Sequence, residues 1–415
     1  MEDFSDGGDA VVTIDGGTPS LQQGAIMQNL LSLGLVIALA GTFPSGNKLP
    51  DLEAIYPRSI LNQGDLGRLE HVFERAMKGE PISVAVIGGS ITEGAHAEKV
   101  ENRWGNQMAN WWKVNFPNAT ITYHNAGIGA TGSDIGVHRA AKHLLVHKPD
   151  IVGIEFSVND GGTPLATEWM EGLVRQILRQ PNAPAVLLLS MMSESGGNVQ
   201  SLHLPVSKYY SLPHLSYRDA LFPEMQAKTI VWKDISPDNI HPNAIGHTYA
   251  AALVNRFLSE KLEAFKAAKR PAAAIPPMPE KPLVGTTFDH GDLLDMKAIK
   301  ILENNGFQPT KDHYWKDGFK GEKPGDKITF EVEGPSFGII YRRSNQPAGH
   351  ARVIVDGKQV AVLEAWFNQT WRYTPYHQII RDQPGKHVIT IEIMDEKNAG
   401  SAGHSFEICN ITIAK

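Results

Sequence analysis

Ile82-Ser83-Val84-Ala85-Val86-Ile87-Gly88-Gly89-Ser90-Ile91-Thr92 is the stretch on which the reading of this chain turns. A short run of apolar, mostly β-branched residues closed by glycines is the pattern of a strand buried on both faces. At Gly88-Gly89 the missing side chains permit a sharp turn and the close approach of another group. Ser90 then stands where a strand hands over to a helix, its hydroxyl at the carboxyl edge of a sheet. An ordinary loop or a phosphate cradle would use similar residues, but a Walker-type loop is disfavoured because no Gly-Lys-Ser/Thr follows.

Outward from this point, residues 66–265 alternate short apolar runs with amphipathic stretches. The pattern predicts strands at 82–87, 120–124, 151–156, 185–189 and 229–232, and helices at 67–77, 103–115, 134–147, 167–179 and 244–268. That alternation is the signature of an α/β domain with a parallel sheet, whose right-handed crossovers place helices on both faces and functional loops at the strands' carboxyl ends. Residues 267–282 carry five prolines and read as a linker. Beyond it the period changes to two: 327–333, 337–341, 352–355, 360–367, 387–393 and 406–413 are strand-like runs parted by Gly, Pro, Asn and Asp turns. A β-sandwich of jelly-roll type is expected there. The chain thus divides into an arm or leader-like segment at 1–50, an α/β domain at 51–268, a linker at 269–283 and an accessory domain at 284–415.

Composition narrows the function. The 415 residues can bury more than one core, and 39 basic against 45 acidic residues leave a formal net charge of -6 with no basic stripe, which argues against nucleic acid as a partner. Cys409 is the single cysteine, excluding an intrachain disulfide and a Cys-rich zinc site. The run 30–40 resembles the apolar region of an export leader and is too short to span a bilayer, yet its upstream flank is acidic and lacks Lys and Arg. An arm packed on the body or on a neighbouring subunit fits equally well, so localisation stays open, as does a homo-oligomer.

Three further segments fall at predicted strand ends. Asn125-Ala126-Gly127-Ile128-Gly129-Ala130-Thr131-Gly132 is a loop of small residues, able to aim backbone amides at a developing oxyanion or simply to turn into the next helix. Asn159, after the third strand, is an uncharged donor at the same edge, although Asn-Asp is also common turn chemistry. Asp238-Asn239-Ile240-His241-Pro242 precedes the last helix; its spacing lets one loop present a carboxylate to one imidazole nitrogen while the other faces a serine. A metal pair or a local cap is the competing interpretation, with metal weakened by the absence of HExxH.

Taken together, in this order, the segments resemble the four blocks of the SGNH (GDSL-like) hydrolase superfamily over about half the chain. The resemblance implies a flavodoxin-like three-layer α/β/α fold and a serine esterase. Residue by residue it makes Ser90 the nucleophile, His241 the base and Asp238 its partner, with the Ser90 and Gly129 amides and the Asn159 side chain as the oxyanion hole. Two departures stand out. The first block reads GGSIT, with Gly89 where the family usually has Asp, and the second block leaves Gly129 or Ala130 as the amide donor. No metal or organic cofactor is implied.

Family members with an attached jelly-roll domain often resemble carbohydrate acetyl esterases, so a small acyl ester or acetylated glycan is the expected substrate. Trp104 and Arg139, with His138 and residues 203–217, are candidate pocket walls or ordinary helix and loop residues. Trp366, Trp371 and Tyr373 are a candidate sugar-stacking platform or strand core. An O-acyltransferase with the same residues and a non-catalytic glycan-binding protein are the rival classes.

Overall fold

A computed structural model describes residues 49–312, 314–369 and 374–414. The leader-like run at 30–40, Trp371 and Tyr373 lie outside them. The first unit is a three-layer α/β/α sandwich, built on strands β1 (Ile60–Asn62), β2 (Ile82–Gly88), β3 (Ile121–Gly127), β4 (Ile151–Glu155), β5 (Ala185–Ser190) and β6 (His214–Ser216). Their order across the sheet is β1-β6-β5-β4-β2-β3, parallel throughout except for the antiparallel edge strand β1.

Alternation along β2 sorts side chains to the two faces. Val84 and Val86 join one core with Trp104, Trp112, Phe73 and the helix Ala244–Ala268. Ala85 and Ile87 join the other, with Val137, Leu173 and Ile177 of the helices Ser133–His143 and Leu165–Leu178. Because both faces are covered, the strand reads as a continuous apolar run rather than as alternating polarity.

The strand expected at 229–232 is not one. Trp232–Ile235 forms a single helical turn, and the sheet is continued by β6, three residues long and too short to leave a period in the sequence. The helix at Ala244–Ala268 matches expectation because its ends carry their own signals: the Asn243 side chain accepts from the Gly246 amide at 3.0 Å, a cap that contributes about 1 kcal/mol, and Lys269 closes it in the left-handed region.

Residues beyond the Pro-rich stretch form two antiparallel sheets. One runs β15 (Tyr376–Ile380), β12 (Ser336–Tyr341), β17 (Phe406–Ala414), β10 (Lys316–Gly321), β9 (Gln308–Asp312), with β7 (Gly291–Asp295) also paired to β17. The other runs β14 (Lys358–Glu364), β13 (His350–Val355), β16 (Lys386–Ile393), β11 (Lys327–Glu333), β8 (Lys300–Asn305). Phe330, Ile389 and Ile391 meet Ile339, Phe406 and Ile411 between them.

The first of these sheets is buried on both faces at its centre, along β12 and β17. Ile339 points into the sandwich, while its neighbour Ile340 joins Ile128, Ile135, Leu293 and Cys409 at the α/β unit. Polar anchors complete the junction. Arg175 donates to both Asp289 oxygens at 2.6 and 3.0 Å, Arg381 to both Glu168 oxygens at 2.7 and 2.8 Å, and Glu171 accepts from the Leu283, Val284 and Gly285 amides. The Pro-rich stretch is thus tied down rather than freely spanning, since the Ala273 amide also bonds Glu70 at 2.8 Å. Strands β7 to β10 escape a period-two reading because their sequence is rich in Lys, Asp and Gly, and β8 is largely exposed.

Candidate active site

Strand β2 ends at Gly88, and the chain turns through Gly89 into the one-turn helix Ser90–Glu93. As the first helical residue, Ser90 has an amide with no intrahelical acceptor, pointing outward from the helix start. Its hydroxyl oxygen lies 2.8 Å from His241 Nε2. On the far side of the ring, His241 Nδ1 lies 2.7 Å from Asp238 Oδ2. Residues 148 and 151 positions apart in sequence therefore form one hydroxyl–imidazole–carboxylate chain.

The loop that carries Asp238 and His241 is held by several bonds. Asp238 Oδ1 accepts from the Ile240 and His241 amides at 2.8 and 2.7 Å. The Ser236 hydroxyl donates to the His241 carbonyl at 2.6 Å and lies 2.9 Å from the Asp238 carbonyl, to which the Trp232 indole donates. Partial burial works to raise the Asp238 carboxyl, but the His241 ring and the two amides outweigh it and bring it down to about 2. Asp238 is thus an anion at neutral pH, which fixes the proton on His241 Nδ1 and leaves Nε2 free to accept from Ser90.

Two more of the expected residues meet at Ser90. A methyl group on Gly129 would lie 3.8 Å from Ser90 Cβ, so the 127–130 loop borders the hydroxyl directly. The Gly129 amide donates to no acceptor among the described residues. Asn159 packs on Gly89. Arg139 and Trp104, in contrast, are not pocket walls. Arg139 is fully buried and donates to the carbonyls of Ala126 at 2.6 Å and Gly88 at 2.9 Å, bracing the ends of β3 and β2 from beneath. Burial lowers its guanidinium to about 9, still cationic at neutral pH. Trp104 is buried against β2 and β4, filling the space left by Gly153.

His138 is likewise enclosed, between Phe288 and Tyr376 at the junction with the sandwich. Within 203–217, His203 bonds Asp160 at 2.8 Å and His214 bonds Ser190 at 2.8 Å, both inside the fold. Trp366 packs on the sandwich core and on Gly400. The physical reason is common to all of these: helix and loop residues facing the sheet are consumed by packing, which period alone does not separate from lining a cleft.

Sequence reasoning missed three residues at the site. Glu93, one turn after Ser90, places Oε2 2.9 Å from where a Gly129 methyl would stand. Tyr314 of the sandwich donates its hydroxyl to Glu93 Oε1, carrying the second domain to the rim of the site. His96 sits 3.3 Å from Asp238 Oδ2 through Nε2, in a loop that His247 holds by a 3.1 Å contact to the Ala95 carbonyl. None belongs to a motif; only the fold makes them neighbours. Among the described residues no helix is long and apolar enough to cross a membrane.

Residues 86–249 match the model of the GDSL-like lipase/acylhydrolase family. Among solved structures, a two-domain esterase (CEX) active on acetylated mannans is 34% identical at a TM-score of 0.79, covering 87% of this chain and 98% of that one. The same esterase co-crystallized with mannopentaose gives the same figures. No curated protein matches the sequence.

Proposed function

Since the chain belongs to the GDSL-like lipase/acylhydrolase family and is a carboxylic ester hydrolase, we propose that Ser90, His241 and Asp238 are its catalytic triad and that it removes acetyl groups from a glycan. The observation that supports this is the pair of contacts Ser90 Oγ to His241 Nε2 and His241 Nδ1 to Asp238 Oδ2, at 2.8 and 2.7 Å.

In the proposed mechanism Ser90 attacks the acyl carbonyl as its proton passes to His241 Nε2, and the Asp238 anion steadies the imidazolium. Negative charge on the tetrahedral oxygen meets the Ser90 and Gly129 amides and the Asn159 carboxamide. Removing one donor of this kind typically lowers turnover about a hundredfold or more. His241 then protonates the departing sugar oxygen, the C–O bond breaks, and an acyl-enzyme remains. Water attacks it with the same imidazole as base, releasing acid and restoring Ser90. No metal or organic cofactor enters these steps.

Acetylated mannan is the first substrate to test, because the two-domain esterase of similar architecture acts on acetylated mannans. We propose a two-unit plan for this chain as well, divided at 51–268 and 284–415. Acetylated mannan, acetylated xylan and aryl esters of increasing acyl length, each assayed with wild type and Ser90→Ala, provide the test. Acetate release that Ser90→Ala abolishes is expected; undiminished release by Ser90→Ala would overturn the nucleophile. An added sugar acceptor separates hydrolysis from acyl transfer, since a transferase would yield acylated acceptor in place of free acetate.

A further inference from the structure

From the cluster His96, Asp238 and His241 we infer a binding site for a zinc-class divalent ion that competes with catalysis. The potential ligand atoms of these three residues all lie within 4.8 Å of one another. Two imidazoles and a carboxylate are a donor set suited to zinc, cobalt or nickel rather than to magnesium or calcium, which favour oxygen alone.

The distances fit a tetrahedral ion. With bonds of about 2.1 Å, neighbouring ligand atoms stand about 3.4 Å apart. His96 Nε2 and Asp238 Oδ2 already do so at 3.3 Å. Two imidazoles on one such ion have ring centroids about 5 Å apart; those of His96 and His241 are 5.7 Å apart and inclined at 61°. To form the site, the His241 Nδ1 to Asp238 contact, 2.7 Å as a hydrogen bond, opens by about 0.7 Å and the two rings approach by a similar amount. The site is open to solvent, with the His96 side chain 50% exposed. His96 has φ of 57°, a left-handed conformation that a residue with a side chain adopts only when its surroundings hold it there. Here the His247 contact to Ala95 is one such restraint.

The consequence for chemistry is specific. Binding replaces the His241 Nδ1 proton, which leaves to solvent, with a dication. The imidazole can then no longer be stabilised as imidazolium by Asp238, because a positive ion stands between them. Loss of esterase activity follows from metal capture, and a chelator reverses it. This consequence rests on the proposed triad, whereas the binding itself does not.

Two readouts keep the inferences separate. Zinc titration of aryl acetate hydrolysis at mildly alkaline pH should inhibit wild type, with EDTA restoring the rate. In His96→Gln the inhibition constant, taken relative to that variant's own uninhibited rate, should rise by about tenfold or more. Cobalt alone, followed by its tetrahedral d–d absorption, should bind wild type and Ser90→Ala alike and fail to give that spectrum with His96→Gln. An unchanged zinc constant in His96→Gln, or a cobalt spectrum that persists in it, would overturn the site. So would a wild type that neither loses activity to zinc nor develops the cobalt band. If Ser90 were not the nucleophile, the cobalt comparison would still report on the ion.

Discussion

Asn159 lies so tightly on Gly89 that a methyl group there would fall 2.2 Å from Asn159 Oδ1 and 2.7 Å from Cγ. The residue before Ser90 is therefore constrained by the carboxamide it neighbours. An aspartate, which the first block usually carries here, would demand that Asn159 move.

Gly89→Ala should displace the Asn159 carboxamide and lower kcat about a hundredfold, near the effect of Asn159→Ala, with the fold kept. Because both changes remove one interaction, the double variant should be little worse than either single one. Steady-state kinetics on an aryl acetate, with circular dichroism as the check on folding, give the comparison. Fully multiplicative losses would mean that Gly89 and Asn159 act independently.

Asp238→Asn should lower kcat by about three to four orders of magnitude while leaving KM close to its original value. The carboxamide cannot hold the His241 tautomer or balance an imidazolium, but substrate contacts are untouched. A fall in affinity without a fall in turnover would assign Asp238 to substrate binding instead.

Glu155, at the end of β4, is fully buried beneath the Ser90 helix, and burial pushes its carboxyl up to about 8 against the lowering effect of a Thr92 hydrogen bond at 3.2 Å. From its ordinary value of 4.5 up to about 8, the folded protein keeps a proton that the unfolded chain has released. Its contribution to stability is full below the lower figure and declines as pH rises through that window. The Tm advantage of Glu155→Gln over wild type should accordingly grow from about pH 5 to about pH 8. A difference that stays constant across the range would refute the shift.

Arg175 and Asp289 join the two units with side chains only 3% and 7% exposed. Arg175→Met should cost about 3 kcal/mol, since it strips a buried carboxylate of its main partner and leaves only Arg179. Adding Asp289→Leu should recover most of that loss by removing the stranded charge. Urea unfolding of the two variants measures both; a double variant no more stable than Arg175→Met would contradict the argument.

Legibility differed by the range of the interaction concerned. Strand β2, the helix Gly67–Met77, the helix Ala244–Ala268 and strand β11 stand where the amino-acid pattern puts them, because apolar period and capping residues act within a few neighbours. Ser90, Asn159 and the Asp238–His241 pair were also visible, since each sits in a short segment of turn residues directly after a strand or before a helix. The sequence by itself thus determined the α/β unit, the sandwich that follows it and the chemical types gathered at one sheet edge. It did not separate Trp104 and Arg139 from true pocket residues, because an amphipathic period looks the same whether the apolar face meets a sheet or a ligand. Tertiary structure alone decided that Arg139 braces β2 and β3, that Tyr314 reaches Glu93 across the junction, and that His96 stands beside Asp238. These contacts link positions far apart in the chain, and their geometry depends on how whole layers stack, which no local pattern encodes.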